Sequence, residues 1–345
     1  MHVRSRLARP GDYDRGRLVD PGGDHVSTAV NVDNFVRAET DRMFSDLQRD
    51  AGGVNVWNHN RAPAAIDRQT VIRLNRDTLY SFAIVDISDG ATFTIPEAGD
   101  RYLSVMVVNQ DHYINRLFHE PGDHAIGVDE FDTPWVMLAA RILVDPADAD
   151  DVATVNALQD RLGLTAGSAQ PFVMPDLDED SLDQTRSAIL ELAKGLGAAI
   201  AGSERPAFGR KDEVDPIHHL IGTAAGWGGL PPDEAIYQGA FPGLPGDGEY
   251  SVTVRDVPVD GFWSISVYNE AGFFEPNDRD AYSVNNITAT PNDDGSITVH
   301  FGGCADDRTN CIPIVDGWNY LVRLYRPKHE IKSGEWTFPE VQPAG

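Results

Sequence analysis

Arg101-Tyr102-Leu103-Ser104-Val105-Met106-Val107-Val108-Asn109-Gln110-Asp111-His112-Tyr113 reads as a buried strand that runs into a polar turn. Leu103, Val105 and Val107 share one apolar face, because successive strand side chains point to opposite sides. The chain repeats the pattern as Gly261-Phe262-Trp263-Ser264-Ile265-Ser266-Val267-Tyr268-Asn269-Glu270-Ala271-Gly272-Phe273. Here Trp263, Ile265 and Val267 take the apolar positions, and Asn269 stands where Asn109 stands. The likeness extends outward in the same order. Asp77-Thr78-Leu79-Tyr80 corresponds to Glu234-Ala235-Ile236-Tyr237, and Arg141-Ile142-Leu143-Val144-Asp145-Pro146 to Arg323-Leu324-Tyr325-Arg326-Pro327. Chance convergence would explain one such match, whereas several in a fixed order mark an internal duplication.

Working outward, residues 1–28 are rich in Arg, Asp and Gly without periodicity and read as a loose arm. Val32, Val36, Met43, Phe44 and Leu47 fit one face of a helix that Gly52-Gly53 stops. Short strands separated by turn-forming clusters fill the rest of a first β unit, residues 29–146. Residues 147–225 read as a helical insertion. It has a helix over Asp148–Leu162 and a longer one with a Ser181/Gln184 capping box and a Leu182, Ile189, Leu192, Leu196, Ile200 face. A short third helix starts at Asp215-Pro216. Residues 226–345 form the second β unit. The expected fold is mainly β with a helical insertion (α+β), two jelly-roll-like sandwiches in tandem.

The 345 residues carry 54 acidic and 28 basic side chains, a net charge of −26, and only Lys194, Lys211, Lys328 and Lys332 are lysines. Such a surface repels nucleic acid and anionic membrane, so neither is an expected partner. The bias has two readings, high-GC codon usage and a saline environment that screens self-repulsion, and codon usage is the simpler. No apolar run is long enough to span a membrane, and the basic start lacks the apolar core of an export signal. As written the chain is expected in the cytoplasm, or is exported if an upstream segment precedes it. Cys304 and Cys311 flank a polar loop; a disulfide and two free thiols both fit. A homo-oligomer stays open.

Long motifs resemble a bacterial family that pairs domain of unknown function 1254 with domain of unknown function 1214. Asn75-Arg76-Asp77-Thr78-Leu79-Tyr80 with Asn109-Gln110-Asp111-His112-Tyr113 carries the first likeness. Gly226-Trp227-Gly228, Asp260-Gly261-Phe262-Trp263-Ser264, Asn310-Cys311-Ile312-Pro313 and Gly317-Trp318-Asn319-Tyr320-Leu321-Val322-Arg323-Leu324-Tyr325 carry the second. The resemblance spans residues 30 to 340 and implies paired β-sandwich units with helical elements, many of them exported. Cys311 stands where much of the family has Trp, as in a Cys-bearing subgroup. The resemblance supplies no reaction.

Candidate chemistry comes from polar groups that only one copy holds. Asp111, His112 and Tyr113 match Ala271, Gly272 and Phe273, so the duplicated fold does not demand them, and a His beside a carboxylate and a phenol can move protons. Asn109 and Asn269, kept in both, are expected to close the strand ends. Asp77 is a candidate base and Arg76 an anion clamp; the alternative is a turn that bonds its own backbone. Trp57, Tyr80, Trp227 and Tyr237 are candidate walls for a ring or sugar. His112, His119 and His124 with Asp111, Glu120 and Asp123 are enough ligands for one divalent metal, but their spacing fits no known site, so a cofactor stays unassigned. The expected function is a hydrolytic or lytic enzyme acting on a small molecule in a cleft of the first β unit. The alternative is a non-catalytic small-molecule or carbohydrate-binding, envelope-associated module.

Overall fold

The computed structural model describes residues 27–69, 72–196, 206–305 and 308–344. Helix α1 (Phe35–Ala51) comes first and ends at Gly52, whose φ of 78° frees the last carbonyls to accept N–H groups from beyond the helix. A two-residue β1 (Asn58–His59) precedes β2 (Thr78–Asp86), β3 (Ala91–Ile95), β4 (Leu103–Asn109), β5 (Arg116–Phe118) and β6 (Gly122–Ile126). Then come α2 (Val128–Phe131), β7 (Trp135–Leu143), α3 (Ala149–Gln159) and β8 (Gly163–Ala166). One sheet has the order β1-β2-β7-β4-β5, and β6-β3-β8 covers it. Leu79, Phe93, Val105, Leu138 and Ile142 lie between the two, with Val155 of α3 closing one side.

Helices α4 (Glu179–Leu196) and α5 (Pro216–Gly226) pack on α1 around Phe35, Leu182, Ile189 and Ile221. The second unit contains β9 (Ala235–Ala240), β10 (Tyr250–Val254), β11 (Trp263–Tyr268), β12 (Ser283–Asn285) and β13 (Ile297–Phe301). It continues through β14 (Cys311–Ile312), β15 (Asn319–Tyr325), α6 (His329–Lys332) and β16 (Gln342–Pro343). Its sheets, β12-β11-β15-β9 and β14-β13-β10-β16, enclose Val252, Ile265, Phe301, Val322 and Leu324.

The duplication is visible in strand order, since β2-β7-β4-β5 returns as β9-β15-β11-β12 and the β3–β6 pair as β10–β13. Register agrees: Val105 faces Ala140 as Ile265 faces Val322. Ser104, Arg141 and Tyr80 line up across one sheet as Ser264, Arg323 and Tyr237 do across the other. Both strand-end turns are closed alike. Asn109 Oδ1 accepts from the N–H groups of Asp111 and Tyr113 at 3.0 and 2.9 Å; Asn269 Oδ1 accepts from Ala271 and Phe273 at 3.1 and 3.0 Å.

The outer faces of the two large sheets meet. Phe262 stacks on Tyr325 with centroids 4.1 Å apart, and Tyr102 contacts both rings. Gly261 permits this approach, because a Cβ there would come within 2.8 Å of the Tyr325 carbonyl and 3.1 Å of the Tyr102 ring.

Several expectations change. Residues 147–166 do not open a helical insertion: β8 pairs with β3 and α3 covers the first core, so both complete the first unit. Asp178, not Ser181, accepts the helix-start N–H; Ser181 lies inside α4 and accepts from Val30. Val32 is exposed and precedes the helix, which is anchored by Phe44 of the expected face and by Phe35, which was not part of it. Ile200 and all of the expected arm before residue 27 lie outside the described residues, whereas Thr28 bonds the backbone of Asp176 and Asp178. Cys304 and Cys311 are joined as a disulfide. Among the described residues no helix is long and apolar enough to cross a membrane.

Candidate functional site

Arg141 and Arg323 occupy equivalent positions on the two facing sheets, and their surroundings differ. Arg323 is 2% exposed and well satisfied. It donates to Ser266 Oγ and the Tyr268 hydroxyl, both at 2.7 Å, and to the Arg73 carbonyl at 2.9 Å. The carboxylate of Asp77, from the other unit, lies 3.9 Å away. Arg141 is 6% exposed, donates to the Gly228 carbonyl at 2.9 Å and lies 5.4 Å from the Tyr80 ring centroid. Among the described residues it pairs with no carboxylate. The sequence counterpart of Asp77 is Glu234, which instead accepts from His119 Nε2 at 2.8 Å. A buried guanidinium without a counter-ion is costly, and here the neighbouring phenols, not a carboxylate, favour its charged form.

Phenols surround that charge. Asn75 Nδ2 lies 3.2 Å from the Tyr80 hydroxyl and 3.1 Å from that of Tyr325. Burial pushes the Tyr80 phenol up, but the Arg141 guanidinium and hydrogen bonds with Thr78 and Asn75 outweigh it, leaving Tyr80 below the ordinary tyrosine range. Tyr325 goes the other way, pushed well up by burial and by Tyr237 and Tyr80 beside it. Of the two, Tyr80 gives up its proton first. Tyr237 is 43% exposed, yet burial pushes its phenol up too. Tyr80, Tyr237 and Arg141 thus form a cluster between the two sheets, not one within the first unit.

The structure divides the sequence candidates. Tyr80 and Tyr237 converge in this cluster. Asp77 is fully buried near it, accepting from Ser283 Oγ at 3.1 Å and Asn285 Nδ2 at 3.2 Å, and it serves as the counter-ion of Arg323. Arg76 does not clamp an anion there; it donates to the Ala64 carbonyl at 2.6 Å and lies over the Tyr282 ring. Asp111 pairs with Arg37 at 2.7 Å, and Tyr113 stacks on His219, both away from Asp77. Trp57 packs on the first core.

His112 is fully buried with both ring nitrogens engaged. Its Nε2 accepts from the Gly228 N–H at 2.9 Å, so Nδ1 carries the proton and meets Thr223 Oγ1 at 2.8 Å. Burial, with His219 alongside, holds its pKa well below the ordinary value. It is therefore neutral, stacked on Trp227, and placed to hold the loop whose Gly228 carbonyl receives Arg141. Trp227 itself is half-buried and donates to Thr40. The metal set does not assemble. His119 goes to Glu234, His124 to the Glu120 carbonyl and His112 to Thr223, and among the described residues no three His, Cys, Asp or Glu side chains gather.

In the sequence Arg141 reads only as part of a strand end, and its repetition as Arg323 is the signal that marks it. Asp41, 4% exposed on α1, was missed altogether; burial raises its pKa to about 6 against a hydrogen bond from Gln110.

Fold and side chains together define a two-unit β-sandwich protein with a guanidinium–phenol cluster at the unit boundary. Residues 54–166 match the family described as Protein of unknown function (DUF1254), and residues 240–329 that described as Protein of unknown function (DUF1214). The chain belongs to the family that joins these two domains. Among solved structures it is similar to the VPA0106 protein from Vibrio parahaemolyticus, with a TM-score of 0.66 and 19% identity over 92% of this chain and 100% of that one. It is also similar to an uncharacterized protein from Burkholderia cenocepacia, with a TM-score of 0.51 and 14% identity over 89% and 87% of the two chains. At these identities the likeness concerns the fold. Comparison with curated proteins finds no match.

Proposed function

We propose that the protein is an enzyme acting on a small carboxylate at the inter-unit cluster, with lyase chemistry. Arg141 holds the carboxylate and Tyr80 moves the proton. The observation that carries this reading is the asymmetry between duplicates, a carboxylate partner for Arg323 and none for Arg141 among the described residues. A bound carboxylate supplies the missing charge bidentately. The lowered Tyr80 phenol then suits removal of a proton from the carbon beside that carboxylate. The electron pair left on carbon is delocalised into the carboxylate, where Arg141 stabilises it, and its return expels a group from the next carbon. Hydrolysis is less well served, because His112 has no free nitrogen and Asp77 is walled in. The disulfide between Cys304 and Cys311 favours work in an oxidising compartment.

Tyrosinate absorbance tests the reading without a known substrate. Titrating the folded protein should reveal one phenol ionising below the usual pKa of about 10. Tyr80→Phe should remove that step and Arg141→Met should move it upward. If the step survives in Tyr80→Phe, the assignment of the acid–base group is wrong. If it is unmoved in Arg141→Met, the guanidinium does not activate Tyr80.

A further inference from the structure

Strand β9 is the edge of its sheet, and its outer face carries Tyr237 and then Gly239. The position a Gly239 side chain would take is faced by the Phe241 ring, whose Cε2 lies 3.8 Å from an ideal Cβ there, beside Leu321 Cδ1 at 4.0 Å. The Phe241 ring therefore borders the space that a Gly239 side chain would fill, and Tyr237 borders it one same-face step back along the strand. Two residues of strand rise separate same-face neighbours by about 6.6 Å, roughly the thickness of one flat ring stacked between two others. Both walls are open to water, Tyr237 at 43% and Phe241 at 72% exposure. Among the described residues neither ring stacks on another aromatic, although the chain's other large rings are mostly paired. Arg73 backs the outer wall, its guanidinium 5.1 Å from the Phe241 centroid, and its Nη1 is buried without a hydrogen-bond partner.

We infer that the site takes an aromatic carboxylate, its ring held between Tyr237 and Phe241 and its carboxylate turned inward to Arg141. The inference rests on the reading of Arg141 as the anion anchor and adds the ring. Three features of the slot agree. Its walls are aromatic, its floor at Gly239 lacks a side chain, and its inner end borders the uncompensated guanidinium through Tyr237, whose phenol feels the Arg141 charge. A compact aliphatic acid would fill only the inner end and leave both rings wet.

The test compares benzoate, 3-phenylpropionate, acetate and benzyl alcohol by equilibrium binding to the whole chain. An aromatic acid should bind about tenfold or more tighter than acetate, the scale expected for stacking plus ring burial, and benzyl alcohol should bind weakly. Gly239→Val fills the slot on an exposed edge strand at little cost to folding. It should erase the advantage of the ring while leaving acetate binding as it was; Phe241→Ala should weaken the same advantage. Arg141→Met should abolish binding of all the acids. Equal binding of acetate and the aromatic acids, or a ring preference that persists in Gly239→Val, overturns the slot alone. Acid binding that survives Arg141→Met overturns the anchor on which the slot depends.

Discussion

His112 holds φ at 62°, a left-handed conformation that the second unit fills with Gly272 at 86°. A side chain there costs on the order of 1 kcal/mol over glycine, so its retention needs a gain elsewhere. The gain is the bond to Gly228 and, through that loop, the seat of Arg141. The sequence contrast between His112 and Gly272 pointed to a special residue, but its burial was illegible, because α5 and the Trp227 loop that cover it are distant in the chain. Asp41 gives a sharper single-residue test. Its native pKa of about 6 stands above the ordinary aspartate value of 3.8, so the native chain keeps a proton that the unfolded chain has released. That advantage is full below pH 4 and disappears as pH rises through 6. At pH 7 the native state instead carries a buried charge. Asp41→Asn should then stabilise the protein by about 1–3 kcal/mol at pH 7 and do almost nothing at pH 4, read from urea melts at the two pH values. Equal effects at both would show that Asp41 does not titrate as described.

At the scale of elements, the two turns that follow β4 and β11 are the same device in different solvent. Asn109 is 1% exposed, whereas Asn269 is half-buried. Removing either side chain strands two backbone N–H groups, and water can rescue only the second pair. Asn109→Ala should therefore cost about 2–4 kcal/mol and Asn269→Ala about 1 kcal/mol in denaturant melts, since an orphaned buried donor costs about 1–3 kcal/mol. Comparable losses would mean that burial of the turn does not set the cost. These elements were readable because their code is local, alternation along Leu103–Val107 and an Asn at the strand end. The fate of residues 147–166 was not, because α3 carries its own helix signals, the Asp148 cap and an acidic first turn, and β8 is a strand only by virtue of β3, some 70 residues earlier. The cluster was half legible for the same reason. Tyr80 and Tyr237 stood out by repetition, but Arg141 acquires meaning only when the second sheet places Glu234 on His119 and leaves the guanidinium alone.

Across the whole molecule the charge of −26 must be reconciled with a compact two-unit fold. Many arginines are committed to local pairs, such as Arg42 with Glu39 and Asp46, Arg61 with Asp160, and Arg308 with Glu249. Exposed pairs of this kind contribute little each, about 0–1 kcal/mol, and they leave a large unpaired acidic excess. Self-repulsion among those carboxylates is long-ranged only while the Debye length is comparable with their spacing. That length is about 8 Å at 0.15 M salt and about 3 Å at 1 M. If the acidity reflects codon usage, the melting temperature should climb with KCl as the repulsion is screened and then level off below about 1 M. A melting temperature that keeps rising steeply beyond that range would require a stabilisation other than screening, and would make the acidic surface an adaptation to salt. Melts in KCl and in the same ionic strength of tetramethylammonium chloride separate the cases further. Screening depends on ionic strength alone, so the two curves should coincide; a surface built to bind hydrated potassium would favour KCl.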